Sequence, residues 1–369
     1  MKCVLNVIGT RPEAIKMAPV IKALVQDDTR FMTVTCVTGQ HRQILDQMLS
    51  FFHITPDIDL DLMMPNQTLA SLTAKALLKL TEVIDKVQPD VILVQGDTTT
   101  AMIAGLAGFY AKVPVGHVEA GLRTNHRYNP FPEEVNRRLL GTLATYHYAP
   151  TNAAAKALIS EQIPPENVVV TGNTVIDALL WTASRIQAPS WDFGLSNSRY
   201  ILVTAHRREN FGKPIRDICQ ALKILAARHN IDIIYPVHPN PNIRTPVYAA
   251  LQNIKNIHLI EPLEYERFVA AMKGAYLLLS DSGGVQEEAP SLGKPVLVLR
   301  ETTERPEAVD AGAARLVGTD TDIVVGHVEN LLNDPQLYAA MANTSNPFGD
   351  GLASKRIVES LAEKLNKII

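Results

Sequence analysis

The chain has 369 residues, and at about 150 residues per domain that length implies two domains. Apolar residues make up 46% and charged residues 20%, the profile of a globular protein with a substantial core. The 35 basic and 38 acidic side chains leave a formal charge of -3, which excludes a generic polyanion binder but not a few arginines aimed at one phosphate.

Short apolar, β-branched runs alternate with longer amphipathic stretches. In chain order, 3–8 reads as a buried strand, followed by a helix in which Ile15, Ala18, Ile21 and Leu24 recur at helical spacing. A strand at 33–37, a helix marked by Leu69, Leu72, Ala76 and Leu80, and strands at 91–94 and 115–118 complete the first half. The weakly patterned stretch 187–199, or a point somewhat before it, is the expected boundary. Strands at 201–203, 231–235, 257–260, 276–279 and 296–299 follow, then the polar loop NPFGDG at 346–351. A final amphipathic helix carries Ile357, Leu361 and Leu365. Alternation of this kind, with strands buried on both faces, means α/β architecture with two parallel sheets covered by helices.

Cys3, Cys36 and Cys219 are too few and too scattered for a disulfide framework or a zinc site, and Cys3 and Cys36 read as inert core thiols. Arg11 and Glu13 follow one short apolar run, so no signal peptide is read. The longest apolar stretch, 101–111, falls short of the roughly 18 residues of a membrane span. The expectation is a reduced, cytoplasmic protein with neither membrane nor nucleic acid as a partner.

The unusual residues fall where strands end. GTRPE (9–13), QGDTTT (95–100) and EAGLR (119–123) follow strands in the first half. TAHRREN (204–210), PVHPNP (236–241), DSGG (281–284) and RETTERPE (300–307) follow strands in the second. Open α/β sheets bind ligands beyond the carboxyl ends of their strands, so groups collected there from both halves predict one site in the cleft between two domains.

DSGGVQEEAP is the most informative of these segments. Ser282 is suited to cap a helix, and Gly283 and Gly284 let a ligand approach the backbone, as a phosphate site requires; the plainer reading is a capped turn whose glycines relieve strain. Lys294, Arg300 and Arg305 follow nearby in sequence, and Glu288 is placed to accept hydrogen bonds from ribose hydroxyls. In GTRPEAIK, Gly9 permits a tight strand-to-helix turn, Pro12 suits a first helical position, and Arg11 and Lys16 add positive charge. No G-x-G-x-x-G follows a strand and neither Gly-Lys pair has the upstream glycine of a P-loop, which argues against nicotinamide chemistry and P-loop phosphoryl transfer. Asp97, Glu119 and Glu133 are candidate acids and bases, the plainer reading of each being a solvated loop carboxylate. His206, beside Arg207 and Arg208, is a further acid/base or phosphate-donor candidate. His117 and His147 lie in apolar runs and read as satisfied core histidines, and no cluster has metal-ligand spacing.

Taken together, GTRPEAIKMAP, QGDTTT, GHVEAGLRT, PEE-x-NRR (132–138), TAHRREN, YPVHPNP, DSGGVQEEAPSLGKPVLVLR, TTERPEA and NPFGDG resemble the non-hydrolysing UDP-N-acetylglucosamine 2-epimerases, in order and along essentially the whole chain. The resemblance implies two Rossmann-like domains of glycosyltransferase type B arrangement with the site in the interdomain cleft. On it, residues 1–170 with a returning helix at 352–369 form one domain, and 171–351 form the UDP-binding domain. It implies interconversion of UDP-N-acetylglucosamine and UDP-N-acetylmannosamine, by elimination of UDP to a 2-acetamidoglucal and re-addition, without a cofactor. Domain closure is the expected means of keeping water out. It further implies a homodimer that supplies N-acetylmannosamine units for surface polysaccharides.

Residue by residue, Arg11, His206, Ser282, Gly283, Gly284, Glu288 and Arg305 match positions that hold the UDP part, and Lys16 lines the same cleft. Asp97, Glu119 and Glu133 match the carboxylates of proton transfer, with His206 grouped beside them. Phe268 matches a position near the uracil, and Leu263 stands where some members carry glutamine. Gln40, Gln43, Arg207 and His238 resemble an effector site at which UDP-N-acetylglucosamine activates some members. A type B glycosyltransferase, a hydrolysing relative and a silent sugar-nucleotide sensor are the alternatives.

Overall fold

The computed structural model describes residues 1–39, 42–62, 67–187, 191, 194–195 and 199–366, without the side chains of 42–44. The chain forms two compact units, Met1–Ala178 with Gly349–Ile369, and Leu179–Phe348. The division falls inside the helix Thr174–Ala183, upstream of the stretch 187–199, most of which lies outside the described residues.

The first unit holds seven parallel strands: β1 (Lys2–Ile8), β2 (Phe31–Val37), β3 (Ile58–Asp59), β4 (Val91–Gln95), β5 (Val115–Val118), β6 (Tyr146–Ala149) and β7 (Val168–Val170). Their order is β3-β2-β1-β4-β5-β6-β7. β1, β2, β4 and β5 are the strands expected from sequence. β3 and β7 are too short to show a pattern, and in β6 a histidine between two tyrosines interrupts the aliphatic run although all four residues are buried. The helix Arg11–Gln26 buries Ala14, Ile15, Met17, Ala18, Val20, Ile21 and Leu24, one stripe at steps of three and four. The helix Leu69–Val87 starts where Thr68 accepts from the Ser71 N–H and stops at Gln88, whose φ is 50°. The helix Leu69–Val87, with Thr99–Tyr110, closes Leu5, Val7, Ile92 and Val94 into one core.

Two contacts lock the strand ends. A Cβ on Gly9 would lie 2.3 Å from Thr100 Oγ1, so the glycine heading GTRPE is required by the neighbouring turn and not by a left-handed backbone. The buried Glu13 carboxyl accepts the Gly9 N–H at 3.0 Å and the Thr98 hydroxyl at 2.7 Å, while Thr98 also caps the Ala101 N–H at 3.0 Å. One carboxyl thus ties the turn after β1 to the turn after β4. Burial pushes it up to about 7, against the hydrogen bonds it accepts.

The last helix, Ala353–Asn366, buries Ile357, Leu361 and Leu365 as its spacing predicts. Asp177 caps it from outside, accepting the Ala353 N–H at 3.2 Å and the Ser354 N–H and hydroxyl at 2.8 and 2.6 Å.

The second unit holds β8 (Tyr200–Thr204), β9 (Asp232–Pro236), β10 (Ile257–Ile260), β11 (Leu277–Ser280), β12 (Val296–Val298) and β13 (Ala314–Leu316), in the order β10-β9-β8-β11-β12-β13. The five expected strands recur, 257–260 unchanged and the others with ends shifted by one residue, and the three-residue β13 is additional. Numbered within each unit, the second sheet runs 3-2-1-4-5-6, the Rossmann order, and the first runs the same with a seventh strand added at its end; the crevice of this order opens between the first and fourth strands.

A carboxyl whose pKa rises on folding from 4.5 to about 7 keeps its proton in the native state over that range while the unfolded chain has lost it. Stability therefore falls as pH rises through this window, by up to about 3 kcal/mol. Urea unfolding across the window should show that fall, and Glu13→Gln should flatten it. Asp177→Ala, which strands three donors, should cost about 1–3 kcal/mol in the same measurement and loosen the last helix in hydrogen exchange.

Candidate functional site

In the first unit the polar residues gather at the carboxyl ends of β1, β4 and β5, adjacent strands of the sheet. Glu119 directly follows β5 with φ +63°, a left-handed backbone that costs a non-glycine residue about 1 kcal/mol and marks a position held by its surroundings. Its buried carboxylate receives Lys16 Nζ at 2.8 and 2.6 Å, one contact to each oxygen. Gln95 Nε2 donates to it from the end of β4, and Asn173 Nδ2 donates at 3.4 Å. Asp97, two residues beyond β4, accepts Arg137 Nε at 2.8 Å and Nη2 at 2.7 Å. Asn136 Nδ2 donates to the Asp97 carbonyl at 2.9 Å, so the helix Glu133–Leu143 holds the Asp97 turn from both backbone and side chain.

Glu133 opens that helix, and its buried Oε2 has no hydrogen-bond partner among the described residues. The adjacent Glu134 is the structural carboxylate of the pair. Burial opposes its ionisation, but the Thr124 N–H and hydroxyl and the Arg137 guanidinium outweigh that and hold its pKa below the ordinary range. Arg11 occupies the first position of its helix. His117 is buried as expected, with burial lowering its pKa to about 3, yet it is more than core filling: Nε2 lies 2.7 Å from the Gly96 carbonyl, inside the Asp97 turn. His147, its partner in register on β6, is lowered to about 4 by burial. The Nδ1 atoms of both lack partners among the described residues, so the expectation of satisfied histidines holds only in part.

In the second unit the buried Asp281, just past β11, organises the turn after β8. Its Oδ2 accepts the backbone N–H of His206 at 2.7 Å and of Arg207 at 2.8 Å, and Asn210 Nδ2 at 2.9 Å. The His206 ring stacks on His238 with centroids 5.6 Å apart, and its Nδ1 stands 3.2 Å from Asp281 Oδ1. Desolvation pushes the His206 pKa down, and His238 and Arg207 add to this against the pull of Asp281.

The guanidiniums of Arg207 and Arg305 flank Gly283, both 3.7 Å from where its Cβ would be. Neither Gly283 nor Gly284 has a positive φ, and a Cβ on either would make ordinary contacts, so the strain-relief reading of these glycines fails. They leave the backbone open at the foot of two cations. Ser282 stands at the N-cap position of the six-residue helix Gly283–Glu288, but its side chain makes no capping bond, contrary to the sequence reading. Glu288 ends that helix, while its neighbour Glu287 pairs with Arg305. Arg300, read from sequence as a further phosphate cation, is buried and paired with Glu209 at 2.5 Å and Glu304 at 2.8 Å. Glu304, bonded to Arg300 and near Arg207, is lowered to about 2. Leu263 lines an open hollow of about 540 Å³ with Pro262, Trp191 and Arg267, and Phe268 follows it in the helix Tyr265–Gly274.

The structure thus joins Lys16 with Glu119, His206 with His238, and Arg207 with Arg305 over Gly283. Arg207, assigned from sequence to an effector group, shares the open backbone with a residue assigned to UDP. Gln40 and the Gln43 side chain lie outside the described residues. Sequence reading passed over Gln95, Arg137, Asn173 and Asp281. Three of them stand inside motifs it quoted, and Asp97 and Ser282 drew the attention because charge and capping are visible without geometry.

The sequence model of the UDP-N-acetylglucosamine 2-epimerase family matches residues 23–362. The UDP-N-acetylglucosamine 2-epimerases of Yersinia pestis and Escherichia coli K12 are 53% and 52% identical to the chain; the first alignment covers 97% of this chain and 98% of that protein, the second 99% of each. The crystal structure of the Neisseria meningitidis UDP-GlcNAc 2-epimerase bound to UDP-GlcNAc superposes with a TM-score of 0.87 at 50% identity, over 98% of this chain and 100% of that one. A Listeria monocytogenes structure described as a putative UDP-N-acetylglucosamine 2-epimerase reaches 0.93 at 44% identity, over 99% and 97%. Likeness at this identity, over nearly the whole of each chain and in both sheets, settles the ancestry: the chain belongs to the UDP-N-acetylglucosamine 2-epimerase family.

Proposed function

We propose that this chain epimerises UDP-N-acetylglucosamine at C2 to UDP-N-acetylmannosamine, reversibly, by elimination and re-addition of UDP. The observation that carries this reading is the row of carboxylates, Asp97 and Glu119 each held by a cation, at the carboxyl ends of β4 and β5. The relative crystallised with UDP-GlcNAc, at 50% identity, supports the substrate.

The chemistry asks for two things. The C1–O bond breaks with its electron pair leaving on the diphosphate, and the proton at C2 leaves so that a C1–C2 double bond forms. The C2 proton is weakly acidic until positive charge builds at C1, so bond breaking leads. Arg305 and Arg207 beside the open Gly283 backbone suit the departing diphosphate, and a carboxylate of the first unit takes the proton. Return of a proton to the opposite face, with UDP re-adding at C1, yields the epimer. The product suits a consuming reaction that transfers N-acetylmannosamine to a surface polysaccharide.

Turnover in D2O followed by NMR tests the reading. Deuterium at C2 in intact sugar nucleotides of both configurations is the expected outcome. Free sugar plus UDP as sole products would assign hydrolysis instead, and dependence on an added acceptor would assign transfer.

Asp97→Asn and Glu119→Gln should each lower kcat by about 10² to 10⁴ while calorimetric UDP affinity stays near that of the parent. Arg305→Ala should weaken UDP binding by about 1.5–3 kcal/mol, more than Ser282→Ala, because it removes a charge as well as donors. Arg305→Ala also leaves Glu287 without its cation, so its thermal unfolding should be recorded beside the titration.

A further inference from the structure

Among the described residues, the Glu119 carboxylate is met by donors: Lys16 Nζ on both oxygens, Gln95 Nε2 on one and Asn173 Nδ2 on the other. Lys16 is the cation in contact with it, from the helix Arg11–Gln26. Gln95, at the end of β4, and Asn173, between β7 and the helix Thr174–Ala183, are neutral and buried. Of the other charged or titratable groups nearby, Asp97 is engaged with Arg137, and His117 on the same strand faces the Gly96 carbonyl and is neutral. Hydrogen bonds donated to a carboxylate favour its ionised form. Two amides from separate elements therefore do what a buried acid otherwise lacks, and they converge on a residue whose backbone is held left-handed.

We propose that Gln95 and Asn173 are positioning residues that hold Glu119 fixed as a carboxylate, so that in the direction from UDP-N-acetylglucosamine Glu119 accepts the proton that leaves the substrate. This rests on the reading of Glu119 as a proton-transfer group.

The test is the pH profile of kcat/KM in the direction from UDP-N-acetylglucosamine. Losing a donor to the charged form disfavours that form, and a base works only in it. In Gln95→Met the acidic limb should move up by about one pH unit, a tenfold loss of activity on that limb. Asn173→Leu should move it in the same sense. Gln95→Glu, isosteric but bringing a second carboxylate against the first, should move it further. Calorimetric UDP affinity and the thermal midpoint show whether each variant is folded; where Gln95→Met does not fold, Gln95→Asn, one methylene shorter, takes its place in the same comparison. A loss of activity uniform across pH, with the limb where the parent has it, would overturn the proposal by reducing the amides to packing. Glu119→Gln separates the two levels. If it abolishes turnover while the amide variants leave the limb unmoved, this inference fails and the function stands. If Glu119→Gln turns over like the parent, the reading of Glu119 itself falls.

Discussion

The buried ion pair between Lys16 and Glu119 is the contact on which the first unit's polar architecture depends. The Glu119 charge alone at that depth would cost several kcal/mol, and removing the partly exposed Lys16 strands it. The pair is possible because β1, β4 and β5 are neighbours in the sheet, and parallel strands deliver all their carboxyl ends to one side. Lys16 lies one and a half turns into the helix after β1, Gln95 closes β4, and Glu119 follows β5. The left-handed turn at Glu119 is a cost met by this pair. Around it, Glu13 fastens the first turn to the second, and Arg137 fastens the second to the helix Glu133–Leu143.

The second unit repeats the strand order with opposite electrostatics. Its buried carboxylate, Asp281, receives two backbone N–H groups and an asparagine on Oδ2, so its hydrogen bonds shape a turn and draw no guanidinium inward. The arginines stay at the rim, steered by Glu304 and Glu287 toward Gly283. One strand order therefore carries a carboxylate buried against a lysine in one unit and cations over open backbone in the other. A fold does not assign chemistry; the side chains at the strand ends do.

Much of this is legible in the sequence because parallel strands buried on both faces read as unbroken apolar runs, and because charged residues right after such runs stand out. That logic finds β1, β4, β5 and β8, and with them Lys16, Asp97, Glu119 and His206. It fails at β6, whose apolar run around His147 is noticed without being assigned to a strand, and at β3, β7 and β13, which are shorter than any period. It also fails for residues whose value is relational. Gln95 is an unremarked amide until Glu119 is beside it, and Asp281 reads as the first letter of a glycine motif until three donors converge on it. Gly9 shows the converse: its place was evident, but the reason, contact with Thr100, appears only when two turns are packed together.

The capping of the last helix by Asp177 has a consequence for synthesis. The ribosome releases residues 179–348 before 349–369, so the second unit has all its sequence while the first still lacks a helix. The usual order of domain completion, N-terminal first, is reversed. Until the last segment emerges, Asp177 has none of the donors of residues 353 and 354, and the surface that will receive Ile357, Leu361 and Leu365 stays uncovered. A chain stopped anywhere in the final helix therefore carries the whole sequence of the second unit and an unfinished first one.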